Sequence, residues 1–135
     1  MKHWLVKSEP HKYAWDMLVK DKRTVWDGVR NYQARNNLRE MKMGDEVLFY
    51  HSNEGMSVVG IAKVVRESFQ DPTTDDERWL AVEIAPLHPL KKAVSLETIK
   101  STPMLENISL VRQGRLSVMP LTKIEFDKIL ELGEG

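Results

Sequence analysis

Three short polar clusters contain the side chains best suited to binding a ligand. They are Lys7-Ser8-Glu9, Arg30-Asn31 with Arg35-Asn36, and Tyr50-His51-Ser52. Lysine and arginine neutralise phosphate, while asparagine and serine form hydrogen bonds with the edge of a base. Aromatic rings such as those of Trp26 and Tyr50 stack on its face. Because strand and loop ends of a small barrel can converge on one mouth, these residue types predict a pocket for a flat, polar ring.

Residues 24–43 must position the second cluster. Asn31 can act as the N-cap of a helix that Gly44 would end. Two stripes then recur at helical spacing: an apolar one of Ala34, Leu38 and Met41, and a basic one of Arg35, Arg39 and Lys42. The free N–H groups of the first turn, next to Arg30, favour an anion. The same spacing also fits an ordinary surface helix with a solvated charged face and Trp26 in the core.

Several kinds of chemistry are missing from the sequence. There is no cysteine, which excludes a disulfide, a thiolate zinc site and a thiol nucleophile. The four histidines lack the spacing of a metal-binding helix, and neither GxSxG, GxGxxG nor the P-loop pattern occurs. We therefore expect neither a metal nor a cofactor.

Length and composition predict one cytoplasmic domain. The chain has 135 residues, of which 41% are hydrophobic, enough for a single core. No apolar run approaches the ~20 residues that cross a bilayer. The net charge is zero, but residues 1–42 hold ten Lys or Arg and five Asp or Glu, a formal charge of +5, which leaves −5 for the rest. A local basic patch that attracts phosphate would fit this asymmetry, although offsets of this size also arise by chance.

The hydrophobic pattern predicts a mixed barrel with helices at its edges. The predicted elements are a strand at 3–6, a helix at 13–18, the central helix, a hairpin of 45–52 with 58–65, a strand at 79–86 extended to 94, a helix from Ser95, a hairpin at 110–118, and a last helix capped by Thr122 and Glu125. Tyr13 and Met17 are expected to face inward, with Trp15 as a further candidate. Gly60 is expected to mark either a bulge or a point where another backbone or a ligand comes close. The acidic loop 69–78 is expected to lie away from any nucleic-acid surface.

Five stretches together resemble the EVE domain family: HWLVKSEP, WDGVRNYQARNNL, VLFYHSN, VVGIAKVV and LVRQGRLSVMPLT. The resemblance spans nearly the whole chain and implies a single domain at residues 1–135. It also implies an α+β, PUA-like fold, a mixed β pseudo-barrel of about five or six strands with flanking helices. This family is expected to bind DNA or RNA that carries modified bases, without catalysis.

The resemblance also implies a set of site residues. The base pocket would consist of Lys7, Ser8, Glu9, Trp26, Val29, Arg30, Asn31, Tyr50, His51, Ser52 and Ser117. Contacts to the rim or to phosphate would come from Arg35, Asn36 and Arg115. We expect the protein to act as a monomer, with no membrane partner.

Two other functions fit parts of the sequence. Related ASCH proteins include an amidohydrolase that acts on acylated cytidine. By analogy, Lys7 could be a base, Ser8 a nucleophile and Glu9 a supporting carboxylate. A protein-interaction module would instead need an exposed apolar patch, which the sequence does not obviously supply.

Overall fold

A computed structural model of the chain describes residues 1–134, and its six strands form one mixed sheet. The strands are β1 (His3–Ser8), β2 (Thr24–Trp26), β3 (Glu46–His51), β4 (Ser57–Gln70), β5 (Leu80–Ser95) and β6 (Val118–Leu121). Their order is β2-β5-β4-β3-β1-β6; β1 and β3 pair in parallel and all other neighbours are antiparallel. The predicted α+β fold is confirmed, although the sheet is not closed, because β2 and β6 are its two edges.

The inner strands β1 and β3 explain the continuous apolar runs in the sequence. Residues 3–6 of β1 and 47–50 of β3 are all buried. A strand covered on both faces needs apolar side chains at every position, whereas a half-exposed strand alternates. The parallel register aligns Lys7 with Tyr50 and Ser8 with His51, so both strands end at the same edge.

Five α-helices flank the sheet in the described part of the chain. They are α1 (Trp15–Asp21), α2 (Tyr32–Glu40), α3 (Leu96–Lys100), α4 (Ser109–Arg112) and α5 (Lys123–Leu132). The predicted caps are confirmed: Asn31 Oδ1 accepts a hydrogen bond from Ala34 N at 2.9 Å, and Thr122 and Glu125 form a capping box. No helix within residues 1–134 is long and apolar enough to cross a membrane.

The structure differs from the prediction most clearly at residues 110–118 and at the end of the central helix. Residues 110–118 form no hairpin, because Arg112 N and Gln113 N bond to carbonyls four residues earlier and close a helical turn, α4. The central helix ends at Glu40, before Gly44, because Met41 is already extended. Gly44 has a φ of +87° and belongs to the turn that leads into β3.

Helix α1 packs on the sheet through Trp15 rather than through Met17. Met17 is 42% exposed, contrary to the prediction, because the inward face of α1 carries Trp15 and Leu18. The Trp15 ring lies over Gly60, where a Cβ atom would come within 2.6 Å of it. The register of β4 also shifts on both sides of Gly60. The predicted bulge at Gly60 is therefore confirmed, whereas the group that approaches this glycine closely is a side chain, the Trp15 ring, and neither a backbone nor a ligand.

Candidate functional site

A cleft of about 640 Å³ opens where the ends of β1 and β2 meet the loop before β6. Its walls are Lys7, Ser8, Glu9, Lys12, Tyr13, Thr24, Val25, Trp26, Asp27, Gly28, Val29, Arg30, Asn31, Arg115 and Ser117. Eight of the eleven residues predicted for the pocket lie here, together with Arg115 from the predicted rim. The volume is within the usual range for a small-molecule site.

Three chain segments build this cleft. Strand β1 ends at Ser8, and the hydrogen bond from Lys7 N to Ser117 O, 2.9 Å, draws the loop before β6 against it. The short strand β2 pairs with β5, with Trp26 opposite Val82. The chain then leaves the sheet through residues 27–31 and enters α2. Long-range pairing of the sheet therefore brings together groups that are far apart in the sequence.

Trp26 gives the cleft a rigid aromatic wall. Its ring meets Phe49 edge to face at 5.6 Å between centroids and Tyr13 at 6.4 Å. Such edge-to-face contacts stabilise the fold by more than the burial of their apolar area alone. Trp26 is only partly buried, so the ring is held by the core and still reaches the cleft. Trp26 therefore packs on the core and also lines the cleft.

The buried carboxylate of Asp71 fixes the loop that forms the second wall. Its Oδ2 accepts hydrogen bonds from Gly28 N at 2.8 Å and from Arg30 Nη1 at 2.9 Å, and its Oδ1 accepts two from Thr73. Burial alone would raise the pKa of Asp71, but these hydrogen bonds outweigh it and lower the pKa to about 2. Asp71 therefore stays ionised and holds residues 28–30 in place.

This contact corrects the prediction for the acidic loop. Residues 69–78 were expected to lie away from the binding surface, yet Asp71 is 0% exposed and bonded to two residues of the cleft wall. Arg30 neutralises the charge of Asp71, one of the acidic residues of this loop. Sequence reasoning missed Asp71 because 41 residues separate it from Arg30 and no local pattern links them.

The polar residues at the end of β1 are bonded to other groups rather than to one another. Lys7 Nζ donates to Gly114 O at 2.7 Å, and burial lowers the pKa of this lysine. Ser8 Oγ donates to Tyr13 O at 2.6 Å. Glu9 accepts from Asn53 Nδ2 at 2.7 Å and pairs with a neighbouring lysine. This arrangement lacks the hydrogen bond between a nucleophile and a base that hydrolysis by Ser8 would need.

The third predicted cluster lies beside the cleft but does not line it. Tyr50 is 2% exposed, and burial raises its pKa. His51 Nε2 accepts a hydrogen bond from Trp15 N at 3.0 Å, which satisfies the start of α1, and burial lowers the pKa of His51. Ser52 N donates to Ser8 O at 2.9 Å. The end of β3 is therefore covered by the start of α1 and supports the β1 wall from behind.

Arg35 and Asn36, predicted for the rim, are also outside the cleft. Arg35 bonds to Asn36 Oδ1 and to Arg78 O, and its guanidinium lies over the Tyr32 ring at 5.1 Å. These contacts hold it on the outer face of α2, against the loop that follows β4. The structure thus separates this pair from Arg30 and Asn31, although all four are close in sequence.

Six residues of the cleft were not among the predicted site residues: Lys12, Tyr13, Thr24, Val25, Asp27 and Gly28. Asp27 and Gly28 lie between two predicted pocket residues, so their position in the sequence could have identified them as part of the cleft. Burial, followed by the nearby Asp71 charge, raises the pKa of Asp27. No group of three metal-ligating His, Cys, Asp or Glu side chains occurs among residues 1–134.

The fold and the cleft together define a small α+β ligand-binding domain with an aromatic wall and polar, charged edges. Comparison with known families makes this more specific. Residues 2–132 match the model of the EVE domain, and the chain belongs to this family.

Several relatives of known name or structure resemble the chain along its length. Thymocyte nuclear protein 1 of Mus musculus is 38% identical over 166 residues, covering 98% of this chain and 74% of the mouse protein. A crystal structure from Agrobacterium tumefaciens has a TM-score of 0.96 and 46% identity, covering 98% of this chain and 93% of that one. The crystal structure of human THYN1 protein in complex with DNA containing 5-methylcytosine has a TM-score of 0.91 and 36% identity. The match covers 100% of this chain and 99% of the human one.

An ASCH protein from Zymomonas mobilis shares the fold at a greater distance. Its TM-score is 0.65 at 15% identity, covering 98% of this chain and 99% of that one. This likeness concerns the fold alone.

Proposed function

We propose that the protein is a non-catalytic nucleic-acid-binding module that accepts a modified base in the cleft. The observation that carries the proposal is the meeting, in one cleft, of the rigid Trp26 wall with the polar side chains of Asn31 and Ser117. A base needs such a combination of a stacking surface and hydrogen-bonding groups at its edge. The human relative in complex with DNA containing 5-methylcytosine supports modified cytosine as the first base to test.

The free energies involved are compatible with extrusion of a base from a nucleic-acid strand. Flipping a base out costs a few kcal/mol, and stacking on an aromatic side chain returns ~1–3 kcal/mol. Because Phe49 already holds the Trp26 ring, little side-chain freedom is lost when a base stacks there. Arg115 is exposed at the cleft and suits a contact with the flanking phosphate.

Titration of fluorescent oligonucleotides tests the proposal. Single-stranded and duplex DNA and RNA, each with cytosine or 5-methylcytosine at one position, are compared by anisotropy. We expect 1:1 binding by a monomer, tighter to a modified strand, with an affinity that Trp26→Ala lowers at least about fivefold, the loss of one stacking contact. Arg39→Ala is the control, since Arg39 is exposed on α2 outside the cleft.

Trp26 also packs on the core, so Trp26→Ala can weaken binding by destabilising the fold. A second variant is needed that changes the cleft without affecting stability. Arg115 is exposed and makes no hydrogen bond or ion pair with another side chain of residues 1–134, and Arg115→Ala should therefore leave the fold intact. We expect it to weaken binding of all strands alike. Equal affinity for modified and unmodified strands, unchanged in both variants, would contradict the proposal.

The same cleft is proposed to bind without turnover. The Ser8 hydroxyl donates its proton to a backbone carbonyl, and Lys7 is held on another carbonyl, so neither is poised for attack on an acyl group. Incubation with N4-acylated cytidine, followed by chromatography, should show no deacylation above the rate without protein. Deacylation that disappears in Ser8→Ala would instead establish the amidohydrolase.

A further inference from the structure

Asp27 is a cleft carboxylate without a hydrogen-bonded or ion-paired partner on another residue of the described chain. The side chain makes no hydrogen bond or ion pair to another residue among residues 1–134, although it lines the cleft. The other cleft acid, Glu9, is occupied by Lys12 at 3.2 Å and by Asn53 at 2.7 Å. Asp27 is therefore the one acidic group of the described cleft that remains available as a hydrogen-bond acceptor.

Two cations that line the same cleft are bonded to other groups. Arg30 pairs with Asp71 at 2.9 Å, and Lys7 Nζ donates to the Gly114 carbonyl at 2.7 Å. Burial, followed by the charge of Asp71, raises the pKa of Asp27, and a hydrogen bond from its own backbone N–H and the charge of Arg30 offset this only in part. Within the protein, the surroundings of Asp27 thus disfavour its ionised form, although the residue is exposed. A ligand that donates a hydrogen bond would compensate for this directly.

The position of Asp27 is fixed on both sides. Its preceding residue, Trp26, is the rigid wall of the cleft, and its following residue, Gly28, is anchored through its N–H to Asp71 at 2.8 Å. The Cα of residue 27 thus has little freedom to move away from a base held against Trp26. A carboxylate carried by this anchored backbone, next to a stacking surface, can accept a hydrogen bond from the edge of a base.

We propose that Asp27 accepts a hydrogen bond from the exocyclic amino group of the bound base. This proposal rests on the proposed function and restricts the range of bases that the cleft accepts. The cleft would bind bases with an exocyclic amino group, of the cytosine or adenine type, and reject the keto bases uracil and thymine. An ionised carboxylate has only acceptor atoms, so it pairs with the N4 amino group of cytosine and is repelled by the O4 carbonyl of thymine. The modification itself is then read elsewhere in the cleft.

A pair of bases that differ only at this edge provides the test. 5-Methylcytosine and thymine carry the same 5-methyl group, and each is placed in a duplex opposite an abasic site, so neither loses a base pair on extrusion. We expect the wild-type protein to bind the 5-methylcytosine strand about 10- to 100-fold more tightly than the thymine strand. In Asp27→Asn, whose amide can both donate and accept, the ratio should fall to within about threefold.

Two controls separate this effect from a loss of folding or charge. Asp27→Asn removes a carboxylate that is destabilised in the folded state, so its melting temperature should equal or exceed that of the wild type. Asp75→Asn makes the same chemical change in an exposed residue outside the cleft and should keep the wild-type ratio.

The possible failures are distinguishable. An Asp27→Asn variant that keeps the wild-type preference overturns the role of Asp27, while preference for methylated over unmethylated cytosine would still support the proposed function. Equal binding of the 5-methylcytosine and thymine strands by the wild type also overturns it. Equal binding of the 5-methylcytosine and cytosine strands, with thymine still bound more weakly, would overturn modified-base recognition but keep the role of Asp27. If the protein bound none of the strands, both proposals would be overturned.

Discussion

At the scale of single residues, Asp71 matters most for the shape of the cleft. It is fully buried, and its two oxygens accept hydrogen bonds from Gly28, Arg30 and Thr73. Breaking a buried, hydrogen-bonded charge pair leaves the partner uncompensated. Since Arg30 is 40% exposed and can be hydrated, the expected cost is below that of a fully buried pair.

We expect Asp71→Asn to lower the free energy of unfolding by about 2–3 kcal/mol at pH 7. The amide can accept some of the same hydrogen bonds but no longer carries the charge that pairs with Arg30. Urea denaturation followed by tryptophan fluorescence measures the change. Asp75→Asn, in the same loop but exposed, should stay within about 0.5 kcal/mol of the wild type. Equal effects of the two substitutions would show that Asp71 does not organise the loop.

The sequence predicts the cleft residues that lie within one local segment and misses those that tertiary packing brings in. Trp26, Val29, Arg30 and Asn31 follow one another, and a loop entering a capped helix keeps them together. Asp71 reaches them only through the pairing of β4 with β5. The cluster at 50–52 was misplaced because the packing of α1 over the end of β3 depends on Trp15 and Gly60, which no local pattern connects.

At the scale of elements, the contact of α1 with the sheet depends on the absence of a side chain at position 60. The Trp15 ring occupies the space that a Cβ would need, and it packs edge to face on Phe49 at 5.5 Å. Because His51 also binds the start of α1, displacement of Trp15 would disturb the strand end that supports the cleft.

Gly60→Ala should therefore destabilise the protein by about 1–3 kcal/mol, the usual cost of an added group in a packed core. Gly114→Ala is the matched control, since a Cβ there has no atom within 4 Å, and we expect a change of at most about 0.5 kcal/mol. Thermal unfolding of both variants gives the comparison. A Gly60→Ala variant as stable as Gly114→Ala would mean that the ring of Trp15 moves aside freely.

Helix α2 serves mainly as a scaffold, and its two stripes differ in role. Ala34, Leu38 and Met41 are 0% exposed, as their spacing predicted. Truncation of Leu38 to alanine should lower the free energy of unfolding by about 2–5 kcal/mol, because it leaves a cavity. Arg39→Ala, one residue along on the exposed stripe, should change neither stability nor binding beyond experimental error. A large loss of base discrimination in Arg39→Ala would show that the binding site includes the exposed face of α2 as well as the cleft.

Long, periodic elements and capped helix starts were predictable from the sequence, and short irregular ones were not. The Asn31 cap and the Thr122–Glu125 capping box each satisfy free N–H groups through side chains in fixed register. Residues 110–118 contain too few apolar positions to separate a hairpin from a single helical turn. There the burial of Leu110 and Leu116 against the rest of the core decides the conformation.

At the scale of the whole molecule, the positive charge of the first 42 residues is partly neutralised by the acidic remainder. Arg30 pairs with Asp71, Arg23 with Glu83 at 3.1 Å, and Lys42 approaches Glu67 at 4.0 Å. The surplus seen in the sequence is thus used in part to join distant segments. The surplus of positive charge in residues 1–42 therefore does not imply a strongly basic surface.

Binding should accordingly depend only moderately on salt. We expect a plot of log Kd against log salt concentration to have a slope that corresponds to about one to three phosphate contacts, and Arg115→Ala to reduce it by about one. Anisotropy titrations between about 50 and about 300 mM salt measure this slope. A slope unchanged in Arg115→Ala would remove this residue from the phosphate contacts.

Stability toward acid reflects the same internal charges. Hydrogen bonds lower the pKa of Asp71 from 3.8 to about 2. The contribution of its carboxylate to the free energy of unfolding is therefore fully present above about pH 4 and is lost as the pH falls through about 2. The shift corresponds to about 2 kcal/mol. Asp45, despite its burial, also has a lowered pKa, through hydrogen bonds from Trp4 and two backbone N–H groups, and adds in the same direction.

Urea midpoints measured across this acid range should therefore fall steeply for the wild type, and the gap between the wild type and Asp71→Asn should close toward pH 2. The control is Asp76→Asn. Its carboxylate has an equally low pKa, of about 2, through Arg78, but this ion pair is solvated and should contribute less. A gap that stays constant with pH would mean that Asp71→Asn acts through packing alone, whereas closure would show that the ionised carboxylate itself holds the cleft loop against the sheet.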